Sequence, residues 1–345
     1  MKTISLIKRS IINFSYYINH VLKIKNFYNV SFYCRLKANL KGFTANQYVN
    51  YKLNINNYKD YISEYERWKM REINGPYKFI FDNKIVSHDY FKQYFDVAKN
   101  LGWVKKGSIY DFSGGVYSKQ ETIDLLKRQG KTILKPNHGG GGKNVYLITY
   151  DKNFLLNKEV IDESSLFEFI INKNDYLLNQ YVNQHSYAST VYDQTVNTIR
   201  VVTVFDYDAG FSKVVAAIHR FGTVATIPVD NVSSGGLVSL IDLKTGELSE
   251  AKSTISLKSY HNHPDSSQRI KGVVIPRWND VLSQIRSVSD LIPFAKLIAW
   301  DVVMTEEGFS IIETNASTGV TIFQLWEGQK NSELGLYLKK HNIIK

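Results

Sequence analysis

Asp301, Glu313 and Asn315 are spaced for chemistry. They fall in "KLIAWDVVMTEEGFSIIETNAS" (296–317), where two apolar runs flank the turn-forming "TEEG". The pattern predicts two strands joined by a tight turn. Residues two apart on a strand point the same way, so Glu313 and Asn315 share a face. Asp301 lies on the preceding strand, and cross-strand neighbours sit about 5 Å apart. Three oxygen-bearing side chains then converge. Hard cations such as Mg²⁺ take oxygen ligands and retain waters and substrate phosphates. Unpaired carboxylates among apolar strands are costly, which favours a metal there; salt-bridged acids at strand ends are the alternative.

The stretch "TILKPNHGGGGKNVYLI" (132–148) sets the glycines Gly139, Gly140, Gly141 and Gly142 between two strand-forming runs, with Lys135 before them and Lys143 after. Glycine costs roughly 0.5–1 kcal/mol relative to alanine in regular structure, so four in a row need a reason. Either the segment is a loose hairpin tip, or its bare backbone closes over phosphates with Lys135 as a donor. It is not a Walker loop: Asn137 stands where the first glycine is required, and Asn144 follows Lys143. GxGxxG also fails, because Asn144 takes the third glycine's place in the frame of Gly139 and Gly141.

Further candidates are weaker. His219 and Arg220 in "HRFG" are placed to touch substrate, or His219 is a strand histidine satisfied by a neighbour. Asn231, with Gly235 and Gly236 after it, is assigned to the acceptor side, where close backbone approach would explain the glycine pair. His261 and His263 in "HNHP" share a strand face without a third ligand, so a surface loop ended by Pro264 is expected. No Ser/His/Asp or Cys/His nucleophile signature occurs.

The elements that must position these residues follow from pattern. Residues 1–75 are expected to be mostly helical, including 58–74, and Gly75 and Pro76 mark a boundary. A helix over 87–102 would start at Ser87 and end at Gly102. Another over 118–130 has Ser118 and Glu121 spaced as a capping box, with Gly130 closing it. Strands are expected at "KTILKP", "NVYLITY" and "YLLNQYV". "NTIRVVTVFD" and "KVVAAIHRFG" should pair antiparallel, and "KTG" should form a turn. A helix near 277–290 precedes the acidic hairpin, and a last helix begins near Phe323. Because the strands come in hairpins, the layout is α+β and not a doubly wound sheet.

The totals suit a folded chain of two or three packing units: 345 residues, 43% hydrophobic and 22% charged. The single Cys34 excludes an internal disulfide framework and a multi-cysteine zinc site. Apolar runs fall far short of the roughly 20 residues that span a bilayer, and no signal peptide is evident, so a cytoplasmic protein is expected. The net charge of +11 is uneven, since residues 1–40 carry +7 and no acid. There Ile4, Ile7, Ile11, Phe14, Ile18 and Val21 recur at helical intervals. Such a helix either packs on its own domain or lies on an anionic membrane surface.

Taken in order, "DNK" (82–84), "ILKPNHGGGGKNV", "NQYVNQH" (179–185), "NTIRVVT" (197–203), "HRFG" (219–222), "DNVSSGG" (230–236), "IPRW" (275–278) and "WDVVMTEEGFSIIETN" (300–315) resemble the ATP-grasp superfamily. More narrowly, the chain resembles the sugar-transfer-associated ATP-grasp family, which is similar to enzymes of teichuronopeptide and capsular polysaccharide synthesis. The resemblance covers roughly residues 75–330. It implies two α+β subdomains with antiparallel sheets clamping ATP, at 76–182 and 183–345, after a helical region 1–75. It implies that Lys84 and Lys135 contact phosphates under a flap of Gly139–Gly142. Gln180, Tyr181 and Val182 would border the adenine, with Gln180 standing where many relatives carry glutamate. Asp301, Glu313 and Asn315 match the magnesium triad, with two Mg²⁺ expected and Mn²⁺ as a substitute. Arg200 matches the arginine that holds the transferred phosphoryl group, and Asn197 falls in the same motif on the substrate side.

The activity so implied is an ATP-dependent carboxylate–amine ligase working through an acyl-phosphate, with a glycan-precursor carboxylate and an amino acid or amino sugar as partners. No nucleic acid is expected as partner. The alternatives are a kinase of the same fold acting on a hydroxyl, and a non-catalytic protein binding membrane or nucleic acid through its basic N-terminus.

Overall fold

Why the chain needs two cores follows from its strands, which divide into two antiparallel sheets in a computed structural model describing residues 10–345. The first sheet uses β1 (Asn100–Lys105), β2 (Ser108–Tyr110), β3 (Val116–Tyr117), β4 (Lys131–Pro136), β5 (Tyr146–Tyr150), β6 (Phe154–Leu156), β7 (Glu159–Ile161) and β8 (Tyr176–Gln180). Their order is β3-β2-β1-β8-β4-β5-β6-β7. The second sheet uses β9 (Ile199–Asp206), β10 (Phe211–Phe221), β11 (Leu237–Leu240), β12 (Ala251–Ser253), β13 (Ser259–Tyr260), β14 (Leu297–Met304) and β15 (Phe309–Asn315), ordered β13-β12-β11-β10-β9-β14-β15. The α+β layout is as expected.

β14 is an interior strand between β9 and the edge strand β15, and all eight of its residues are buried, which explains the near-continuous apolar run around Asp301. One of its faces packs with Trp300, Val302 and a helix at Trp278–Asp290; the other packs with Leu297, Ala299 and a helix at Glu333–Lys340.

Local signals placed several helices well. Ser118 caps the helix Lys119–Gln129 in a reciprocal box with Glu121, and Gly130 ends it at φ +66°. The helix at Trp278–Asp290 agrees with the expected 277–290.

Elsewhere tertiary contacts overrode pattern. The helix expected over 87–102 runs instead over Lys84–Phe91, capped by Asn83, whose side chain accepts from the Val86 amide at 3.0 Å. Ser87 lies inside it and bonds Thr314 at 2.7 Å. The helix stops because the following chain is claimed by β15: the Ile311 amide donates to Asp96 at 2.9 Å. Gly102 is a strand residue, where an added Cβ would meet Ile109 at 3.0 Å. Residues 58–74 hold only a 3₁₀ turn (Tyr58–Asp60) and a helix, Glu64–Met70. The last helix starts at Glu333, capped by Ser332, while Thr321–Phe323 is a single 3₁₀ turn.

The segment before the first sheet packs on the second, because Phe81, Phe91 and Phe95 enter the core around Trp300. A division at 75/76 that assigns them to the first half therefore differs from the packing observed. Ile62, Met70 and Ile73 also join the second sheet's packing, while Phe43, Tyr51, Leu53 and Tyr61 form a small cluster of their own. Gln324 ties this together, donating to Tyr51 at 3.0 Å and accepting from the Ile62 amide at 2.7 Å. Of the expected N-terminal apolar stripe, Ile4 and Ile7 lie outside the described residues.

Candidate active site

The antiparallel register creates a row of charge across three strands. Arg200 on β9 pairs with Asp301 on β14, and Asp301 pairs with Glu313 on β15. The Arg200 Nε and one terminal nitrogen donate to the two Asp301 oxygens, each at 2.7 Å. Such bidentate pairs are the strong, geometrically specific ones. Arg220, on β10, reaches the same carboxylate at 3.1 Å and lies 3.6 Å from Asp230. Asp230 in turn accepts from the Thr198 amide at 2.8 Å. Burial pushes the Asp301 carboxyl up, but Arg200 and Arg220 outweigh it and hold the group at about 2. Arg220 is pulled down by burial and more strongly up by Asp230 and Asp301, so it stays charged.

Two lysines come from elsewhere. Lys84, in the first turn of its helix, lies 3.5 Å from Glu313 and donates to the Gly139 carbonyl at 2.9 Å. Lys135, on β4, donates to the Ile312 carbonyl at 3.4 Å. Burial, then the neighbouring Lys84 charge, push Lys135 down to about 8, against a partial upward pull from Glu313 and Asp301. A lysine so held is poised for an anion.

The glycine segment closes over these groups. Gly139, Gly141 and Gly142 have φ of +100°, +73° and +65°, a conformation other residues rarely adopt. A Cβ at Gly142 would come 2.8 Å from Val229, and Asn231 donates to the Gly141 carbonyl at 2.5 Å. The flap of the first sheet is thus latched to a loop of the second. Beneath it lies a cavity of about 210 Å³, lined by Gly140, Lys135, Arg200, Asp301, Glu313 and Asn315 among others. Gly140 and Glu313 face one cleft. Ala98, Ile133, Val145 and Ile312 add apolar wall, and Gln180, Tyr181 and Val182 line it too. An open groove of about 620 Å³ shares Gln180–Val182 and Ala98 but is lined by Lys99 and Arg277 in place of Lys135, Arg200 and Arg220. The Gln180 amide donates to the Lys99 carbonyl at 2.9 Å.

The donor set suits a hard cation. Two carboxylates and an amide oxygen are oxygen ligands, and Asn315 Nδ2 is buried with no partner, an orphan that a reoriented amide beside a cation would relieve. Asp301 is shared with two arginines, so a cation there competes with them. Among the described residues no three His, Cys, Asp or Glu converge.

Other sequence candidates fall outside the cleft. His219 is fully buried: its Nε2 meets the Tyr187 hydroxyl at 2.8 Å and its Nδ1 the Arg220 carbonyl at 3.0 Å. Burial pushes it down to about 3, so it is neutral. Asn197 is a buried brace, donating to the Tyr192 carbonyl at 2.5 Å and accepting from the Gly222 amide at 3.1 Å. Gly235 takes φ +118°, and a Cβ at Gly236 would meet the Asp230 carbonyl at 2.9 Å. The glycine pair therefore serves a tight turn of its own loop, not approach to a ligand. His263 is spent on the Gly222 carbonyl at 2.7 Å and a stack on Tyr192. Sequence reasoning missed Thr198 and Asp230, which line the cavity and hold Arg220. Thr198 stands two before Arg200 in the sequence, just ahead of β9, a signal that was present.

Similarity to known proteins agrees with this geometry. The model of the family described as "Sugar-transfer associated ATP-grasp" matches residues 66–334. No curated protein matches in sequence. Several solved structures resemble the chain at low identity. D-alanine–D-alanine ligase of Bacillus anthracis complexed with ATP is 13% identical, with 76% of this chain and 62% of that one covered and a TM-score of 0.37. D-alanyl-alanine synthetase A of Vibrio cholerae O1 biovar eltor gives 12%, 76%, 63% and 0.44. The biotin carboxylase domain of Hydrogenobacter thermophilus 2-oxoglutarate carboxylase, solved with MgADP, gives 13%, 70%, 41% and 0.39. The chain spans less than two thirds of each of these. With the match over residues 66–334, the chain belongs to the sugar-transfer associated ATP-grasp family.

Proposed function

We propose that the protein is an ATP-dependent carboxylate–amine ligase acting on a surface-glycan precursor. A substrate carboxylate attacks the γ-phosphorus, ADP leaves, and an amine then displaces phosphate from the acyl-phosphate to form an amide. One observation carries the reading: three cations, Lys135, Arg200 and Arg220, and three oxygen donors, Asp301, Glu313 and Asn315, line one cleft beneath a latched glycine flap, with Lys84 just outside the lining and 3.5 Å from Glu313.

The chain's own residues supply position and charge. Lys135 and Lys84 would bind phosphate oxygens, with bare amides of Gly139–Gly142 as an anion nest above them. Arg200 and Arg220, pre-aimed by Asp301, would hold the transferring phosphoryl group through fixed donors. The hinge at Gln180–Val182 and the apolar wall of Ala98, Ile133 and Ile312 would seat the base. Asp301, Glu313 and Asn315 would hold magnesium, two ions with manganese as a substitute, which neutralises developing phosphate charge when bound. Positioning and electrostatics of this kind are what phosphoryl transfer needs.

An amino acid or amino sugar is the amine in this reading, and the location is cytoplasmic, with the basic N-terminus against the membrane's inner face. Incubation with ATP, magnesium and pooled uronic and amino acids, followed by ADP release and new masses, tests it. Free phosphate only when an amine is present supports a ligase. Phosphate retained on a hydroxyl acceptor would make the enzyme a kinase of the same fold. Absence of turnover with intact nucleotide binding would leave a binding protein.

A further inference from the structure

We propose that the outer face of the two N-terminal helices docks on an anionic lipid surface. This deepens the membrane placement above and is independent of the chemistry in the cleft.

The charge pattern comes first. Ten basic residues and no acidic one precede Asp60. Structure then decides which way the apolar residues point. Helical turns at 10–16 run into a π-helical segment, Tyr17–Leu22. This rod docks by its tyrosines: the Tyr16 ring stacks on Trp68 at 3.8 Å and its hydroxyl donates to Glu64 at 2.6 Å, while Tyr17 donates to the Asn39 carbonyl at 2.7 Å. That docking turns Ile11 and Phe14 outward, 63% and 66% exposed.

The next helix, Phe32–Leu40, is likewise reversed. Ala38 and Asn39 face inward, whereas Phe32, Leu36 and Leu40, at i, i+4 and i+8, form an exposed stripe beside Lys37. Phe32 is 80% exposed and Leu40 75%. A surface helix ordinarily buries such a stripe. Phe14 and Leu40 line one open hollow of about 680 Å³ with Lys41 and Lys69, so both helices contribute to a single surface.

An apolar stripe flanked by lysines matches interfacial helices, whose side chains enter the headgroup boundary while the cations meet anionic lipids. A second copy of this chain would bring the same positive charge to the contact, which disfavours self-association. No helix among the described residues is long and apolar enough to cross a membrane, so the contact is a surface one.

The test is cosedimentation of the full chain with vesicles of phosphatidylcholine, with and without phosphatidylglycerol. Binding is expected only with phosphatidylglycerol, and it should weaken with salt. Lys37→Glu/Lys41→Glu should lower partitioning about fivefold or more per charge. Leu36→Ser/Leu40→Ser should abolish it. These side chains are exposed, so circular dichroism and calorimetric ATP binding should not change in either variant. Equal binding to neutral vesicles, no binding to anionic ones, or indifference to both variants overturns the proposal. Self-association in sedimentation velocity, lost in the same variants and without vesicle binding, would make this face an interface between copies instead.

Discussion

Asp301 holds Arg200 through two parallel hydrogen bonds of 2.7 Å and so keeps a guanidinium aimed into the cleft. Arg220 reaches the same carboxylate at 3.1 Å and shares its charge between Asp301 and Asp230, so Asp301 serves two largely buried cations. Glu313, its neighbour in register, has a single cation at 3.5 Å and is more exposed. The two acids of one row thus differ in structural weight.

That difference separates two substitutions. Asp301→Asn removes the charge from a buried pair and leaves Arg200 without its carboxylate, while Arg220 keeps Asp230 at 3.6 Å, an expected loss of about 3–5 kcal/mol. Glu313→Gln should leave the melting curve nearly unchanged while stopping ATP turnover. Denaturant unfolding and ADP release, measured on both variants, check this. Wild-type turnover in Glu313→Gln would remove that residue from the metal role.

Lys135 yields a pH dependence. Its folded-state value of about 8 is below the ordinary lysine range, so a charged lysine destabilises the ligand-free fold below pH 8. That cost diminishes as pH rises through 8 toward the unfolded value near 10.5, because the unfolded chain then binds more protons. Lys135→Met should accordingly raise the melting temperature at pH 7 and abolish ATP binding in calorimetry. In the wild type, ATP affinity should fall as pH rises above about 8.

His219 has the acid-side counterpart. It is buried neutral with a value of about 3, whereas the unfolded imidazole titrates near 6.5. Its contribution is complete above pH 6.5 and is lost as pH falls toward 3, since only the unfolded state gains the proton. Thermal melts across this range should show a slope that His219→Gln reduces. The KM of either substrate should move little in that variant, given that His219 does not line the cleft.

The flap latch is separable from the chemistry. Asn231→Ala removes the donor to Gly141, a contact of about 1 kcal/mol. Limited proteolysis should then cut faster at 139–142, and the KM for ATP should rise a few-fold. Gly142→Ala should be worse, because its φ is +65° and Val229 is 2.8 Å from the new Cβ. Equal protease resistance in both variants would argue against a latched flap.

The sequence by itself determined the two hairpins, the capped helix at 119–129, the glycine segment and the charge asymmetry of the N-terminus. These depend on neighbours close in the chain: alternation, a capping box, consecutive glycines, a run without acids. Only the tertiary structure decided that Asp301 is divided between two arginines, since Arg200 and Arg220 lie 101 and 81 residues away and meet it only through sheet register. It also decided that His219 and Asn197 serve the scaffold, because a buried polar group must find a partner, and theirs include Tyr187 and Gly222 on other segments. The helix expected at 87–102 stopped early for the same reason, when β15 claimed the backbone of Asp96–Ala98. Local pattern specifies what a segment prefers; the partner across the fold settles which preference is met.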